Sequence, residues 1–453
     1  MKLQARDTSI GHRTEEGVRT KLVRIAQRAK RDKAAKFCSL SHLLYKSTLI
    51  EAFWRLSPKA APGVDGKSKE SYAENLEENI TDLYSRLKSN SFMPNPVKRK
   101  YIKKIGSNKM RPLGIPAIED KIVQTALVII LENIYEQDFL PFSYGFRPNR
   151  NCHDALKNLS RDIGTKKVGY IIDADIKGFF DNVNHEWLGK FLQHRINDSK
   201  ILRLVKRFLK AGILEEGNYY ESKRGVPQGG TLSPLLANIY LHYTIDLWFD
   251  RVVTKSCKGE AYITRYADDI VFCFQYKSDA QKFYSSLKDR LNKFDLKLSE
   301  DKSKMIEFGR FAQRDAKRRG ETKAETFDFL GFTHYCSKSR RGRFKLKWKI
   351  ARKTFTVKVN EFGEWIKENR HLAIDEIWRK VNQKLRGHYQ YYGVSDNWKG
   401  LENYKREVIK LLYKWLNRRS QRNSITWEEL RQLIKVFPLA EPKVKVNLNS
   451  AFV

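Results

Sequence analysis

Apolar residues recur at helical spacing at Leu22, Ile25 and Ala29, ringed by Lys21, Arg24, Arg28, Lys30, Arg31 and Lys33. The pattern predicts a basic helix over residues 20–36. Further helices are expected at 40–56, closed by Ser57-Pro58, and at 71–89, closed by Met93-Pro94-Asn95-Pro96. Residues 97–105 read as a basic strand leading into a Gly106-Ser107-Asn108 hairpin turn. Helices are expected at 119–135 and 278–294, and strands at 169–176 and 261–274. The stretch between those strands reads as mostly helical, broken by Gly225-Val226-Pro227-Gln228-Gly229-Gly230. Strands separated by long helices indicate an α+β or α/β body. Farther on, Arg341, Arg343, Lys345, Lys347 and Lys349 alternate with Gly342, Phe344, Leu346, Trp348 and Ile350. Period two predicts a strand with one cationic and one apolar face. The chain from there to about residue 434 is helical in pattern and rich in Trp and Tyr. Three units are expected: 1–95, 96–333 and 334–453.

Charge narrows the class. The 453 residues carry 88 Lys and Arg against 52 Asp and Glu, a formal net charge of +36. Such a surplus calls for a polyanionic partner, most simply nucleic acid, although basic ribosomal and membrane-surface proteins share it. Residues 334–453 hold 28 of the cations and 11 of the acids. Aromatics at 12% add stacking platforms, which suit single strands. Hydrophobic residues at 41% exclude a disordered chain. The apolar run Ala126–Leu131 is far too short for a membrane span, so no membrane partner is expected. The start, MKLQARDTSIGHR, has no apolar signal core. Five scattered cysteines form no CxxC pair, and a reducing, cytoplasmic location fits. The segment Ala61–Ser68, APGVDGKS, fits a relaxed phosphate loop in letters only. A helix precedes it where a buried strand is required, and Asp65 would repel phosphate, so nucleotide hydrolysis is not expected.

The chemistry sits in the acids. In a strand, Asp173 and Asp175 share one face while Ile172, Ala174 and Ile176 share the other. Asp268-Asp269 falls in a turn between two apolar strands. Adjacent acids in a turn are more often a solvated hairpin tip, but core strands on both sides weaken that reading. Together the two sites suggest three acids at one point, which cannot all stay ionised without a counter-charge. Hard oxygen ligands in that number suit Mg²⁺, and two such ions suit in-line phosphoryl displacement. The chemistry indicated is nucleotidyl transfer or phosphodiester hydrolysis.

A series of motifs then occurs in order: Arg111-Pro112-Leu113-Gly114-Ile115-Pro116, Ser143-Tyr144-Gly145-Phe146-Arg147-Pro148, Asp175-Ile176-Lys177-Gly178-Phe179-Phe180-Asp181, Pro227-Gln228-Gly229-Gly230 with Ser233-Pro234-Leu235-Leu236-Ala237-Asn238, Tyr266-Ala267-Asp268-Asp269, and Phe329-Leu330-Gly331-Phe332. From about residue 60 onward the chain resembles the reverse transcriptases encoded by bacterial group II introns. The tail is similar to that family's maturase domain at 385–394, 415–421 and 438–442.

The resemblance implies an α+β right hand of fingers, palm and thumb, with a helical N-terminal extension and a helical thumb/maturase domain. It implies an RNA-directed DNA polymerase that also assists intron splicing and mobility by target-primed reverse transcription. Asp175, Asp268 and Asp269 match the catalytic, metal-binding acids, serving two Mg²⁺ ions with Mn²⁺ as a substitute. Lys104 and Arg111 would face the incoming dNTP, or else form a surface pair. Ile176, Phe180 and Gln228 would line the nucleotide. Phe180 would block a ribose 2′-OH, unless it is ordinary core. Arg147, Arg343, Lys345 and Lys347 would meet nucleic acid, the 341–349 strand gripping the primer or merely solvating a sheet edge. His388, Tyr389, Tyr391 and Tyr392 read better as thumb packing than as RNA contacts, and Asp173 as structural. The expected partners are intron or template RNA, a DNA primer or target, and dNTPs; the oligomeric state is left open. Many relatives continue into a DNA-binding region and a Cys/His-bearing endonuclease. Here about 11 residues come after Pro442, without such a cluster, so cutting of the second target strand is not expected. Two other readings stay open: a free-standing relative, such as one recruited to phage defence, and an RNA-binding maturase with no polymerase role.

Overall fold

A computed structural model describes residues 8–103, 110–419 and 425–448. Lys104 and the turn expected at 106–108 lie outside the described residues. The chain opens with α1 (Thr8–Arg31), α2 (Lys46–Arg55), α3 (Lys69–Ala73) and α4 (Leu76–Lys88), then β1 (Val97–Lys103) and β2 (Met110–Ile115). The body continues through α5 (Ile118–Tyr135), α6 (Cys152–Thr165), β3 (Tyr170–Asp175), α7 (Phe179–Asn182), α8 (His185–Gln193), α9 (Ser199–Leu209), β4 (Ile213–Glu215) and β5 (Asn218–Tyr220). It closes with α10 (Ser233–Leu241), α11 (Thr254–Ser256), β6 (Ala261–Tyr266), β7 (Asp269–Phe274), α12 (Lys277–Lys293), β8 (Lys304–Glu307) and α13 (Ala312–Arg318). A third part holds β9 (Phe327–Phe329), β10 (Phe332–Lys338), β11 (Phe344–Ile350), α14 (Arg352–Asn369), α15 (Ile374–Tyr392), α16 (Trp398–Leu416) and α17 (Trp427–Val436).

Among the described residues three separate sheets run β2-β1-β4-β5, β6-β7-β3-β8 and β11-β10-β9, so the fold is mixed α and β. Several expected boundaries move for local reasons. The first helix ends at Arg31 because the Asp32 carboxylate takes the N–H groups of Ala34 and Ala35. The helix expected at 40–56 starts only at Lys46, since the Asp198 carboxylate holds the N–H groups of Leu40 and Ser41. The one expected at 71–89 is two helices, the first opened by a reciprocal Ser68–Ser71 cap.

The expected unit borders are also crossed by packing. One apolar core runs from Leu22 on α1 to Leu298 beyond α12 and includes α5, most of which is buried. The helices within residues 1–95 therefore share a core with α5, α8, α9 and α10. A buried arginine seals this junction. Arg195, 2% exposed, donates to the carbonyls of Ala29, Asp32 and Ala35 and lies 3.0 Å from Asp138. A border at 333/334 would cut β10, which pairs with both β9 and β11. A second core joins Tyr144 and α6 to β9–β11 and the helices up to Leu448.

Candidate active site

β3 and β7 pair antiparallel with Asp175 opposite Asp269, Asp173 opposite Val271 and Ile171 opposite Cys273. Directly opposed residues share a face. One face thus carries Ile171, Val271 and Cys273 in its depth, under the second core, and Asp173, Asp175 and Asp269 toward its end. The other face, with Ile172, Ala174, Ile270, Phe272 and Phe274, is wholly in the first core. This two-sided burial is what forces the acids to the sheet's open end. β6 and β7 are joined by a two-residue loop, Ala267-Asp268, with Tyr266 opposite Asp269. Asp269 is exposed, while Asp175 and Asp268 are half-buried.

The carboxylate of Asp175 sits 2.6 Å from the ammonium of Lys302, whose side chain is 58% exposed. Its backbone is clamped: the Ser299 N–H donates to the Asp175 carbonyl at 2.8 Å, and the Asp175 N–H to Ser303 Oγ at 3.1 Å. Burial, offset by Lys304 and reinforced by the charges of Asp269 and Asp175, pushes the Asp173 carboxyl up to about 7. Negative charge is crowded here, and Lys302 supplies one cation. Among the described residues no group of three or more His, Cys, Asp or Glu side chains is gathered as a ready metal cage. Asp175 and Asp269 instead oppose each other across the strand pair, with Asp268 beside Asp269 in the loop. Magnesium commonly binds through one or two carboxylates plus waters and substrate phosphates, so the donor chemistry fits that ion.

The nucleotide-facing candidates converge from two elements. The Gly114 N–H donates to the Gln228 carbonyl at 2.6 Å, and a β-carbon on Gly229 would lie 2.5 Å from the Gly114 carbonyl. That contact, with φ +119° at Gly229, explains the glycine-rich break. The Val226 N–H donates to the Phe180 carbonyl at 2.7 Å, and Gln228 Nε2 to Asp181 Oδ1 at 3.3 Å. Phe180 and Gln228 are thereby brought side by side, with β2 adjoining them. Phe180 is partly buried, edge-on to Phe179. Arg111 is exposed on β2. Ile176 is buried, bridging to Leu298, which places it in the core more than on a surface.

Arg147 does not meet the expectation of a nucleic-acid contact. Its side chain is 3% exposed and bound to Glu136 at 2.6 Å and to the carbonyls of Leu140 and Ser143. All of its forked donors serve to fold the 136–147 loop. The neighbouring Phe146 is 54% exposed at φ +56°, an unusual backbone for a bulky residue. The alternation at 341–349 holds only from Phe344: Leu346, Trp348 and Ile350 are buried on β11, while Arg341 and Arg343 lie in the preceding turn. Lys345 is paired with Asp396 at 2.8 Å. Lys347 and Lys349 remain on the outer face, Lys349 lying over the Tyr335 ring. His388, Tyr389 and Tyr392 are buried, His388 stacked 3.6 Å from Tyr404, and Tyr391 donates to the Leu330 carbonyl. A basic surface the sequence reading missed surrounds Trp415, with Lys367, Arg370, Lys414 and Arg418 all within 6 Å of its ring.

Lys302 and a buried pair, Arg265 and Asp246, were missed as well. A signal for the pair existed: between Leu235 and Phe249, Asp246 stands alone among Asp, Glu, Lys and Arg residues. One charge in so apolar a run needs a buried partner.

The family model for reverse transcriptase (RNA-dependent DNA polymerase) matches residues 102–334. The group II intron-encoded protein LtrA of Lactococcus lactis subsp. cremoris is 50% identical over 166 residues, covering 37% of this chain and 27% of that protein. Protein YkfC of Escherichia coli (strain K12) is 41% identical over 192 residues, 41% of this chain and 50% of that protein. Nuclear intron maturase 3, mitochondrial, of Arabidopsis thaliana is 29% identical over 129 residues, 28% of this chain and 18% of that protein. The matched regions span half or less of these relatives. With a match over more than half of its residues, joining the β3 acid to the β6–β7 hairpin, this chain belongs to the reverse transcriptase (RNA-dependent DNA polymerase) family.

Proposed function

We propose that this protein is an RNA-directed DNA polymerase of the kind group II introns encode, and that it assists the splicing and mobility of its intron RNA. The carrying observation is the register that sets Asp175 against Asp269 at the open end of a sheet buried on both faces. The sheet β6-β7-β3-β8 serves as palm, β2-β1-β4-β5 as fingers, and α14–α16 as thumb and maturase domain. Asp175, Asp268 and Asp269 would hold Mg²⁺, which when bound steadies the attacking and leaving oxygens of phosphoryl transfer. Lys302 keeps the Asp175 carboxylate neutralised and, being more than half exposed, is free to swing aside. Arg111 offers a guanidinium fork to the triphosphate. Gln228 and Phe180 border the sugar and base, fixed by the Val226–Phe180 hydrogen bond. With Mg²⁺, an RNA template, a DNA primer and dNTPs, the purified protein should extend the primer. No extension under any primer and template pairing would overturn the polymerase reading.

Two variants test particular surfaces. Phe180→Ala should admit ribonucleotides, raising the ratio of rNTP to dNTP incorporation in single-nucleotide addition. A ratio equal to the parent's would make Phe180 a core residue only. On the third part, Arg343, Lys347 and Lys349 changed together to Gln should flatten the slope of log affinity against log salt for single-stranded RNA by about 2, at about 0.7 per lost contact. Lys345→Gln alone should change the slope less, because Asp396 already offsets its charge. An unchanged slope in the triple variant would mean that these cations only solvate the edge strand.

A further inference from the structure

We propose that Arg265, Asp246 and Asn238 are positioning residues: from beneath the sheet they hold the β6–β7 hairpin, and with it Asp268 and Asp269, in the shape that polymerisation needs. The inference rests on the polymerase reading and names the device that sets its site.

Arg265 lies opposite Ile270, on the sheet face that is otherwise apolar. It is 0% exposed, as is Asp246, and their forks meet at 2.8 Å (Nε to Oδ1) and 2.6 Å (Nη2 to Oδ2). A charged pair this deep is weak evidence for stability, since apolar side chains of similar volume often do as well. What apolar side chains cannot supply is the third nitrogen. Arg265 Nη1 donates to Asn238 Oδ1 at 2.9 Å and to the Ala267 carbonyl at 3.1 Å. Ala267 is the first residue of the two-residue loop and sits at φ +56°. That conformation is costly for a residue with a β-carbon and persists only where its surroundings impose it.

The surroundings close a ring. Asn238 Nδ2 donates to the Gly145 carbonyl at 2.7 Å. Gly145 in turn lies flat on the loop, and a β-carbon there would stand 2.4 Å from the Ala267 nitrogen. The Tyr144 N–H donates to the Arg265 carbonyl, and the Arg265 N–H to that of Phe142, both at 2.9 Å. Segment 142–145 thus runs along β6 and presses on the Ala267 nitrogen, while the guanidinium holds the Ala267 carbonyl, and Asn238 ties the two together. Asp246 reaches this point because the helix widens after α10 into a π turn at His242–Asp246. A π turn is one residue wider than an α turn and returns Asp246 to the side that Asn238 occupies. His242 faces the same carboxylate from 3.9 Å, but burial keeps it neutral, its pKa lowered to about 4, so Arg265 is the cation of the pair.

The test replaces the pair by apolar side chains, Arg265→Leu with Asp246→Leu, so that no charge is orphaned. The thermal midpoint should stay near the parent's, and primer-template affinity and the KM for dNTP should change little. The kcat should fall by roughly a hundredfold, the scale of a displacement of about 1 Å at a reacting centre. Amide hydrogen exchange at residues 266–269 should quicken at least tenfold while the rest of β6 and β7 keeps its protection. Asn238→Ala removes the amide link and leaves the ion pair, and it should shift both readings in the same direction. It also serves if the double variant fails to fold. A folded variant with parental kcat and parental exchange at the hairpin would overturn the proposal. The exchange reading uses no polymerase activity, so an inactive parent protein would overturn the polymerase reading alone.

Discussion

Replacing Asp268 by alanine is expected to abolish primer extension while leaving RNA affinity close to the parent's. Asp268 stands in the two-residue loop between β6 and β7, half-buried and next to Asp269, which faces Asp175 across the sheet. If the three carboxylates hold Mg²⁺ as proposed, removing one would weaken the grip on the cation that offsets charge during phosphoryl transfer. A loss of about 4 kcal/mol of transition-state stabilisation, well within what a metal ion supplies, is roughly a thousandfold in rate. The fold should not suffer, because Asp268 lies on a short loop outside both apolar cores and alanine already occupies the preceding loop position. RNA binding should persist because it rests on a net charge of +36 spread over the molecule, which one acid hardly alters. Single-turnover extension and filter binding on the same preparation separate the two effects. Robust extension by this variant would remove the hairpin from the chemistry.

Arg195→Ala is expected to destabilise the fold severely. It would take a donor from the carbonyls of Ala29, Asp32 and Ala35, leaving Asp32 only the distant Ala35 N–H, and would strip Asp138 of its nearest buried cation. Breaking a buried pair from one side costs about 3–5 kcal/mol. Against a usual total of about 5–15 kcal/mol, that is a large fraction. The Asp138 carboxyl is already raised by burial, with Arg195 and Lys33 pulling it back down. Without Arg195 it would rise further. The urea midpoint should fall, and limited proteolysis should cut first near the end of α1, since the carbonyls that lose the Arg195 donor lie at or just past its C-terminus. A parental midpoint would show that α1 and α2 are anchored by the apolar contacts with α5 alone.

The division between sequence and tertiary structure reflects the range of the forces involved. Local periodicity and turn chemistry set β3, the β6–β7 hairpin, α5 and α12 almost to the residue, because each depends on neighbours a few positions away. The acids were legible for the same reason: a charge in an apolar strand has few places to go, and alternation alone put Asp173 and Asp175 on one face. Helix ends were less legible where a distant group intervened, as Asp198 does at Leu40 and Ser41. The fate of the cations was not legible at all. Arg147, Arg195, Arg265 and Lys345 look in sequence like many other basic residues of this chain. Only the tertiary structure sends Arg147 to Glu136, Arg195 to Asp138, Arg265 to Asp246 and Lys345 to Asp396. A guanidinium presents five donors in a fixed planar fork and an ammonium three, and both settle where oxygens meet them. The role of each cation is therefore fixed by whichever carboxylates and carbonyls the packed chain brings within about 3 Å, and not by the letters beside it.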